Sequence, residues 1–248
     1  MTLEIEATGQ ACGARIRGVD LTRPLAAELV AGIRAAWLEH HVLVFPDQPI
    51  DDDDLERVTR YFGPFGDDPF LAPIAGRRHV AAIRRDADET TPIFAEAWHT
   101  DWSFQATPPA GTCLRSVVLP PRGGDTLFAN QHAALDAMPA DLRARLEGLQ
   151  AIHSARLPYA PTGAYGDADQ ARGRSMDIRP SEAALAEQRH PLLRAHPETG
   201  RPGIFGAIGY IVGLEGLDDA DAIPLLKELL AWQTRDAFVY RHVWEPDM

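Results

Sequence analysis

Lysine is almost absent from this chain. Of 248 residues only Lys227 carries an ammonium, so nearly all positive charge is arginine, a group that stays protonated and grips carboxylates with two parallel hydrogen bonds. A basic excess is missing as well. Twenty-four basic residues face 36 acidic ones, a formal net charge of −12, which argues against the basic face that nucleic-acid binding needs. Cysteine is scarce: Cys12 and Cys113 lie far apart, in no metal-ligand spacing, and are expected to be isolated buried thiols of a reducing compartment. No apolar run approaches membrane-spanning length, and the opening "MTLEIEATGQACGARIRGVD" has no basic-then-apolar leader, so the expectation is a cytoplasmic protein without a membrane partner. There is no internal repeat and no low-complexity linker. What remains, 45% hydrophobic and 24% charged residues, predicts one globular domain over 1–248.

Hydrophobic spacing gives the coarse organisation. Leu25, Leu29, Ile33 and Trp37 recur at i, i+4 and predict a helix over 24–39 with Thr22 as its cap. "HVLVF" (41–45) reads as a buried strand, and "DDDDLERVTRYFG" (51–63) as a helix with acids at its positive end, stopped at Gly63-Pro64. Strands are expected at 79–83, 98–104, 112–119, 125–129, 150–155 and 237–244, helices at 139–149 and 218–233, and a hairpin over 191–207 around the turn "PETG". Residues 84–96 read as mobile, and 156–190, with Pro, Gly and alternating charges, as an irregular insert or lid. Short strands with helices set aside favour a mainly β chain, an antiparallel sandwich or barrel with helical flanks.

The stretch "AWHTDWSF" (97–104) carries the chemistry. On a strand, side chains at i and i+2 share a face, so His99 and Asp101 would offer a nitrogen and a carboxylate oxygen to one ion. A further histidine from a distant strand would complete the two-histidine, one-carboxylate face that leaves positions open on non-haem Fe(II). Trp98, Trp102 and Phe104 would wall it off from water. Alone, His-x-Asp is a weak signal, since such a pair is more often a hydrogen-bonded structural one.

The surroundings sharpen it. "WHTDWSF", then "PPAG" (108–111), then "PPRGGDTLFAN" (120–130) resembles the taurine and dichlorophenoxyacetate dioxygenases, Fe(II)- and 2-oxoglutarate-dependent enzymes. "GARIRGVDLTRPL" (13–25), "HHVLVFPDQ" (40–48), "YFGP" (61–64), "HPLLRAHPETGR" (190–201) and "FVYRHVWEPD" (238–247) extend the likeness over the whole chain. The resemblance implies a double-stranded β-helix (a jelly roll, cupin-like) with helical insertions, one Fe(II) held by His99 and Asp101, and 2-oxoglutarate and O2 as co-substrates. It implies that the Thr126 hydroxyl binds a 2-oxoglutarate carboxylate. Asn130 and Gln131 stay open between that wall and a helix cap.

In such enzymes a second histidine ligand and an arginine for the distal carboxylate follow the strand resembling "FVYRHVW". Here the sequence ends at "EPDM" before either, so the expectation is a C-terminally shortened form missing its last strands, or an inactive relative. The predicted reaction is hydroxylation of a small organic acid, a sulfonate, phenoxyalkanoate or similar, with release of succinate and CO2. Phe70, Leu71, Trp102 and Phe104 are the pocket candidates, and self-association into a homo-oligomer is compatible with all of this. Two other readings compete: a Zn-dependent hydrolase, and a non-catalytic binding protein on the same fold.

Overall fold

Alternating burial builds the first sheet. The computed structural model describes residues 2–248, and in it β1 (Glu4–Ala7) pairs antiparallel with β2 (Ala14–Arg17). Ala14 and Ile16 are fully buried while Arg15 and Arg17 take the other face. Helix α1 (Ala27–His40) buries Ile33 and Ala36, and its chain returns as β3 (Leu43–Val44), parallel to β2. The helix begins later than the sequence predicts. Ala26 is its cap without a side-chain bond, because Thr22 is turned back onto Asp20, donating from its hydroxyl at 2.6 Å. Helix α2 (Asp52–Arg60) has the expected acidic start: Asp51 and Asp54 form a reciprocal capping box.

From 61 to 125 the chain contains no strand ladder, only isolated bridges Leu71↔Ile178 and Pro73↔Ala81. The predicted strands at 79–83, 98–104 and 112–119 therefore do not form. Around 98–104 the cause is local: Trp102 sits at φ 47°, and residues 101–104 turn, which a strand excludes. Residues 112–119 have no ladder partner, and Val117 and Val118 are 75% and 88% exposed.

The second half follows the sequence more closely. Strand β4 (Thr126–Ala129) leads into α3 (Gln131–Asp136), capped by the Asn130 side chain, then α4 (Ala140–Leu146) and β5 (Gln150–Ser154). Two one-turn helices, α5 (Arg156–Tyr159) and α6 (Asp167–Gln170), occupy the insert. Strand β6 (Glu187–Pro191) pairs with β5, and β7 (Leu193–Ala195) and β8 (Pro202–Ile204) make the predicted hairpin. Strand β9 (Ile211–Leu214) completes the sheet β6-β5-β9; α7 (Asp219–Gln233) and β10 (Val239–His242) follow, β10 pairing antiparallel with β4. Helical residues outnumber strand residues, so the chain is mixed α/β rather than mainly β. Its strand ladders are grouped into four small sheets.

The largest core joins α3, α4 and α7 to β5, β8 and β9 through Leu135, Leu146, Leu192, Leu214 and Leu229. A second, aromatic core gathers Phe70, Phe104, Tyr159 and Tyr210; it is the one that backs the candidate site. Cys12 is buried and Cys113 is exposed, both as free thiols. None of the helices is long and apolar enough to cross a membrane, among the described residues. Leu192, fully buried, should cost about 2–5 kcal/mol as Leu192→Ala, whereas Val118→Ala should change stability by less than about 0.5 kcal/mol. Urea unfolding of the two variants checks this, and equal costs would contradict the core described.

Candidate active site

His99 and Asp101 converge without a strand. The turn after Thr100 brings His99 Nε2 to 3.0 Å from Asp101 Oδ1, so the shared face predicted from strand alternation is reached by a different backbone route. The other ring nitrogen, Nδ1, donates to the Ala97 carbonyl at 2.8 Å. That contact decides the tautomer. With Nδ1–H on a carbonyl, a neutral ring keeps its lone pair on Nε2, facing the carboxylate. Thr112 donates to Asp101 Oδ2 at 2.6 Å, leaving Oδ1 as the oxygen turned to the imidazole. Two donors, each about 2.1 Å from one ion at right angles, lie about 3.0 Å apart, so this nitrogen and oxygen fit a shared divalent metal. No group of three or more His, Cys, Asp or Glu side chains suited to a metal occurs among the described residues, so the pair supplies two donors and no third protein donor joins it.

Without an ion, both neighbours of the ring are acceptors and only an imidazolium satisfies them. Burial works against protonation of His99, but the Asp101 carboxylate and Ala97 carbonyl outweigh it and its pKa is raised. Burial pushes Asp101 upward too; hydrogen bonds from His99 and Thr112 win and hold it below the ordinary carboxylate value. The pair is not sealed, with side-chain exposures of 28% for His99 and 47% for Asp101.

The four pocket candidates come together beside it. Phe70 and Phe104 stand 5.7 Å apart, and Phe104 lies 5.0 Å from Tyr210, whose ring meets His99 edge-on at 5.8 Å. Both phenylalanines are buried, whereas Leu71 and Trp102 flank the cluster half-buried. Trp102 donates from its indole to Asp68 Oδ2 at 3.1 Å, and Asp68 Oδ1 takes the Phe70 and Leu71 amides. Burial raises the Asp68 pKa despite these donors. Arg78 and Arg84, available by sequence for an anionic substrate, are exposed and paired with Asp67 and Asp86.

Thr126 begins β4, and no hydrogen bond joins it to His99 or Asp101 among the described residues. Its Oγ1 accepts the Trp244 indole N–H at 3.0 Å, which leaves its own O–H free to donate. Asn130 is settled as a helix cap, accepting from the His132 and Ala133 amides. Histidines 132, 153, 190 and 242 are hydrogen-bonded scaffold. Residues that periodicity did not reveal include Thr112, Asp68, Tyr210 and Gly209. A Cβ at Gly209 would stand 2.7 Å from the Trp98 carbonyl oxygen and 3.0 Å from His99 Cβ. The "GY" step in "GAIGYIV" was the only sequence signal for this close approach.

Two outcomes follow. The raised His99 pKa means the ion pair stabilises the fold fully below the ordinary histidine value and loses that contribution as pH rises through the raised one. Asp101→Asn removes the carboxylate that raises this pKa, so the His99 midpoint followed by ring NMR should fall; an unmoved midpoint would contradict the pairing. Gly209→Ala should cost about 1–3 kcal/mol in thermal or urea unfolding and shift the ring signals of His99.

Comparison with known proteins identifies the family. The family model described as Taurine catabolism dioxygenase TauD, TfdA family matches residues 4–248. The alpha-ketoglutarate-dependent 2,4-dichlorophenoxyacetate dioxygenase of Cupriavidus pinatubonensis is 35% identical over 93% of this chain and 82% of its own length. The alpha-ketoglutarate-dependent sulfate ester dioxygenase of Pseudomonas putida is 32% identical, over 99% of this chain and 79% of its own. The crystal structure of a taurine dioxygenase from Burkholderia xenovorans superposes with a TM-score of 0.78 at 28% identity, covering 99% of this chain and 78% of that one. The chain thus belongs to the TauD, TfdA family of Fe(II)- and 2-oxoglutarate-dependent dioxygenases.

Proposed function

We propose that His99 Nε2 and Asp101 Oδ1 are two of the protein ligands of a catalytic Fe(II), and that the protein hydroxylates a small organic acid of the phenoxyalkanoate, sulfonate or sulfate-ester kind. The observation carrying this is the 3.0 Å approach of a tautomer-fixed nitrogen to a carboxylate oxygen whose partner oxygen is already held by Thr112. Fe(II) held by His99 and Asp101 would supply the site at which O2, the oxidant, is activated, one oxygen atom going to succinate as 2-oxoglutarate loses CO2 and the other to the hydroxylated acid. The residues of this chain bind and orient. Ala97 keeps the His99 lone pair on Nε2, and Thr112 keeps Asp101 from rotating away. The free O–H of Thr126, its oxygen anchored by Trp244, is assigned to a 2-oxoglutarate carboxylate, worth about 1.5–3 kcal/mol as a hydrogen bond to a charged acceptor. Trp102, Leu71, Phe70 and Phe104, with Tyr210 behind His99, are assigned to the apolar wall that receives the substrate and excludes water. The four short sheets are read as parts of a double-stranded β-helix, with 156–190 as its covering insert.

Two protein donors hold Fe(II) weakly, and no cation for the distal carboxylate of 2-oxoglutarate is assigned among these residues. The 248-residue chain is therefore expected to bind one divalent ion with low affinity and to form little succinate. Calorimetry with Mn(II) should give one site, weakened at least about tenfold in His99→Ala and in Asp101→Ala, the cost of losing one inner ligand. Affinity unchanged in both variants would remove the assignment. Robust succinate formation by the chain alone would contradict the two-donor reading. The lack of a third donor among the described residues favours one other reading, a relative that binds ligands without turnover; a thermal shift with 2-oxoglutarate and Mn(II) but no succinate from any acid supplied would select it.

A further inference from the structure

Residues 84–96, which composition marks as mobile, are tied down by a buried ionic cluster. Arg174 and Glu89 each keep only 1% of their side chains exposed, and Asp169 keeps 4%. The Arg174 guanidinium is gripped by both oxygens of Asp169, stands 3.6 Å from Glu89 and donates to the Pro92 carbonyl at 2.9 Å. Glu89 accepts the Ser175 amide at 3.0 Å, together with the Ser175 and Thr91 hydroxyls, and Arg85 approaches it at 3.4 Å. The Asp86 amide donates in turn to Ser175 Oγ at 2.9 Å. Burying these charges is costly, and it is tolerated only because each is paired and hydrogen-bonded. The cluster therefore joins two segments, 85–95 and 165–175, that share no strand ladder.

Tyr165 is where this cluster reaches the metal motif. Arg174 lies over its ring at 4.9 Å from the centroid, and Phe94 packs against it at 5.0 Å. Its hydroxyl accepts the Ala95 amide at 2.9 Å. Ala95 has φ +56°, a left-handed conformation that costs a residue with a Cβ about 1–2 kcal/mol and needs outside support. Two residues on, the Ala97 carbonyl fixes the His99 ring. The geometry points to Tyr165 as a positioning residue for His99: held by Arg174, it keeps Ala95 left-handed and so aims the Ala97 carbonyl at Nδ1. This rests on His99 being a metal ligand only for its consequence in catalysis. The mechanical link stands or falls on its own measurement.

Tyr165→Phe removes the hydroxyl and leaves the ring under Arg174. Hydrogen exchange read by NMR on wild type and variant should show the Ala95 amide exchanging about threefold to tenfold faster, the effect of one lost hydrogen bond, with the α7 amides unchanged. The Mn(II) dissociation constant should rise by a similar factor with stoichiometry kept. Adding Ala95→Gly to Tyr165→Phe removes the penalty on a positive φ and should return the dissociation constant to within about twofold of wild type; a tyrosine that served packing alone would not be rescued this way. Unchanged exchange at Ala95 overturns the inference, as does failure of Ala95→Gly to recover affinity. If the wild type binds no Mn(II), the metal assignment fails and the exchange experiment alone decides the link.

Discussion

The site depends on one hydrogen bond, from His99 Nδ1–H to the Ala97 carbonyl. A neutral imidazole has one donor and one acceptor, and without that carbonyl nothing would choose which nitrogen faces Asp101. With it, the lone pair, the carboxylate oxygen and the edge of Tyr210 take fixed places around the same opening. The supporting contacts converge on this short stretch: Thr112 on Asp101, the bare backbone of Gly209 against Trp98 and His99, and Ser103 on the fully buried His153. Each comes from a different part of the chain, so the stretch is located by tertiary contacts rather than by a ladder of its own.

That origin explains how an irregular segment of this length keeps its shape. Backbone polar groups outside helices and sheets still need partners, and between 61 and 125 side chains provide many of them. Asp68 takes two amides and an indole, Tyr165 takes one amide, and Arg174 donates to the carbonyl of Pro92. Arginine suits this work because its planar fork reaches a carboxylate and a carbonyl together. The dearth of lysine noted in the sequence thus acquires a structural counterpart at Arg174, Arg115 and Arg57, each of which bridges an acid and a main-chain oxygen.

Legibility in the sequence followed the range of the interactions. Local chemistry was readable: the acidic start of α2, the hairpin β7–β8, the long helix α7, and the ordered motifs that identify the family around His99, Asp101 and Thr126. Strand assignments failed where an apolar run suggested a ladder but none formed, as at 112–119 and at 79–83, where Ala81 makes only an isolated bridge. At His99 the expected contact arose for another reason, because Trp102 adopts a left-handed turn that periodicity does not encode. The ionic cluster of Glu89, Asp169 and Arg174 was not legible, since Glu89 is buried by partners some 80 residues away. Tyr210 was invisible for the same reason.

Strand β4 has β10 as its sole ladder partner among the described residues, and close in sequence to it stand Leu114, Val117 and Val118, with Leu127 and Val243 also exposed. A strand with one bare side and greasy neighbours is a template for a further strand. That edge is therefore the place where a second copy could add a strand without either molecule first unfolding.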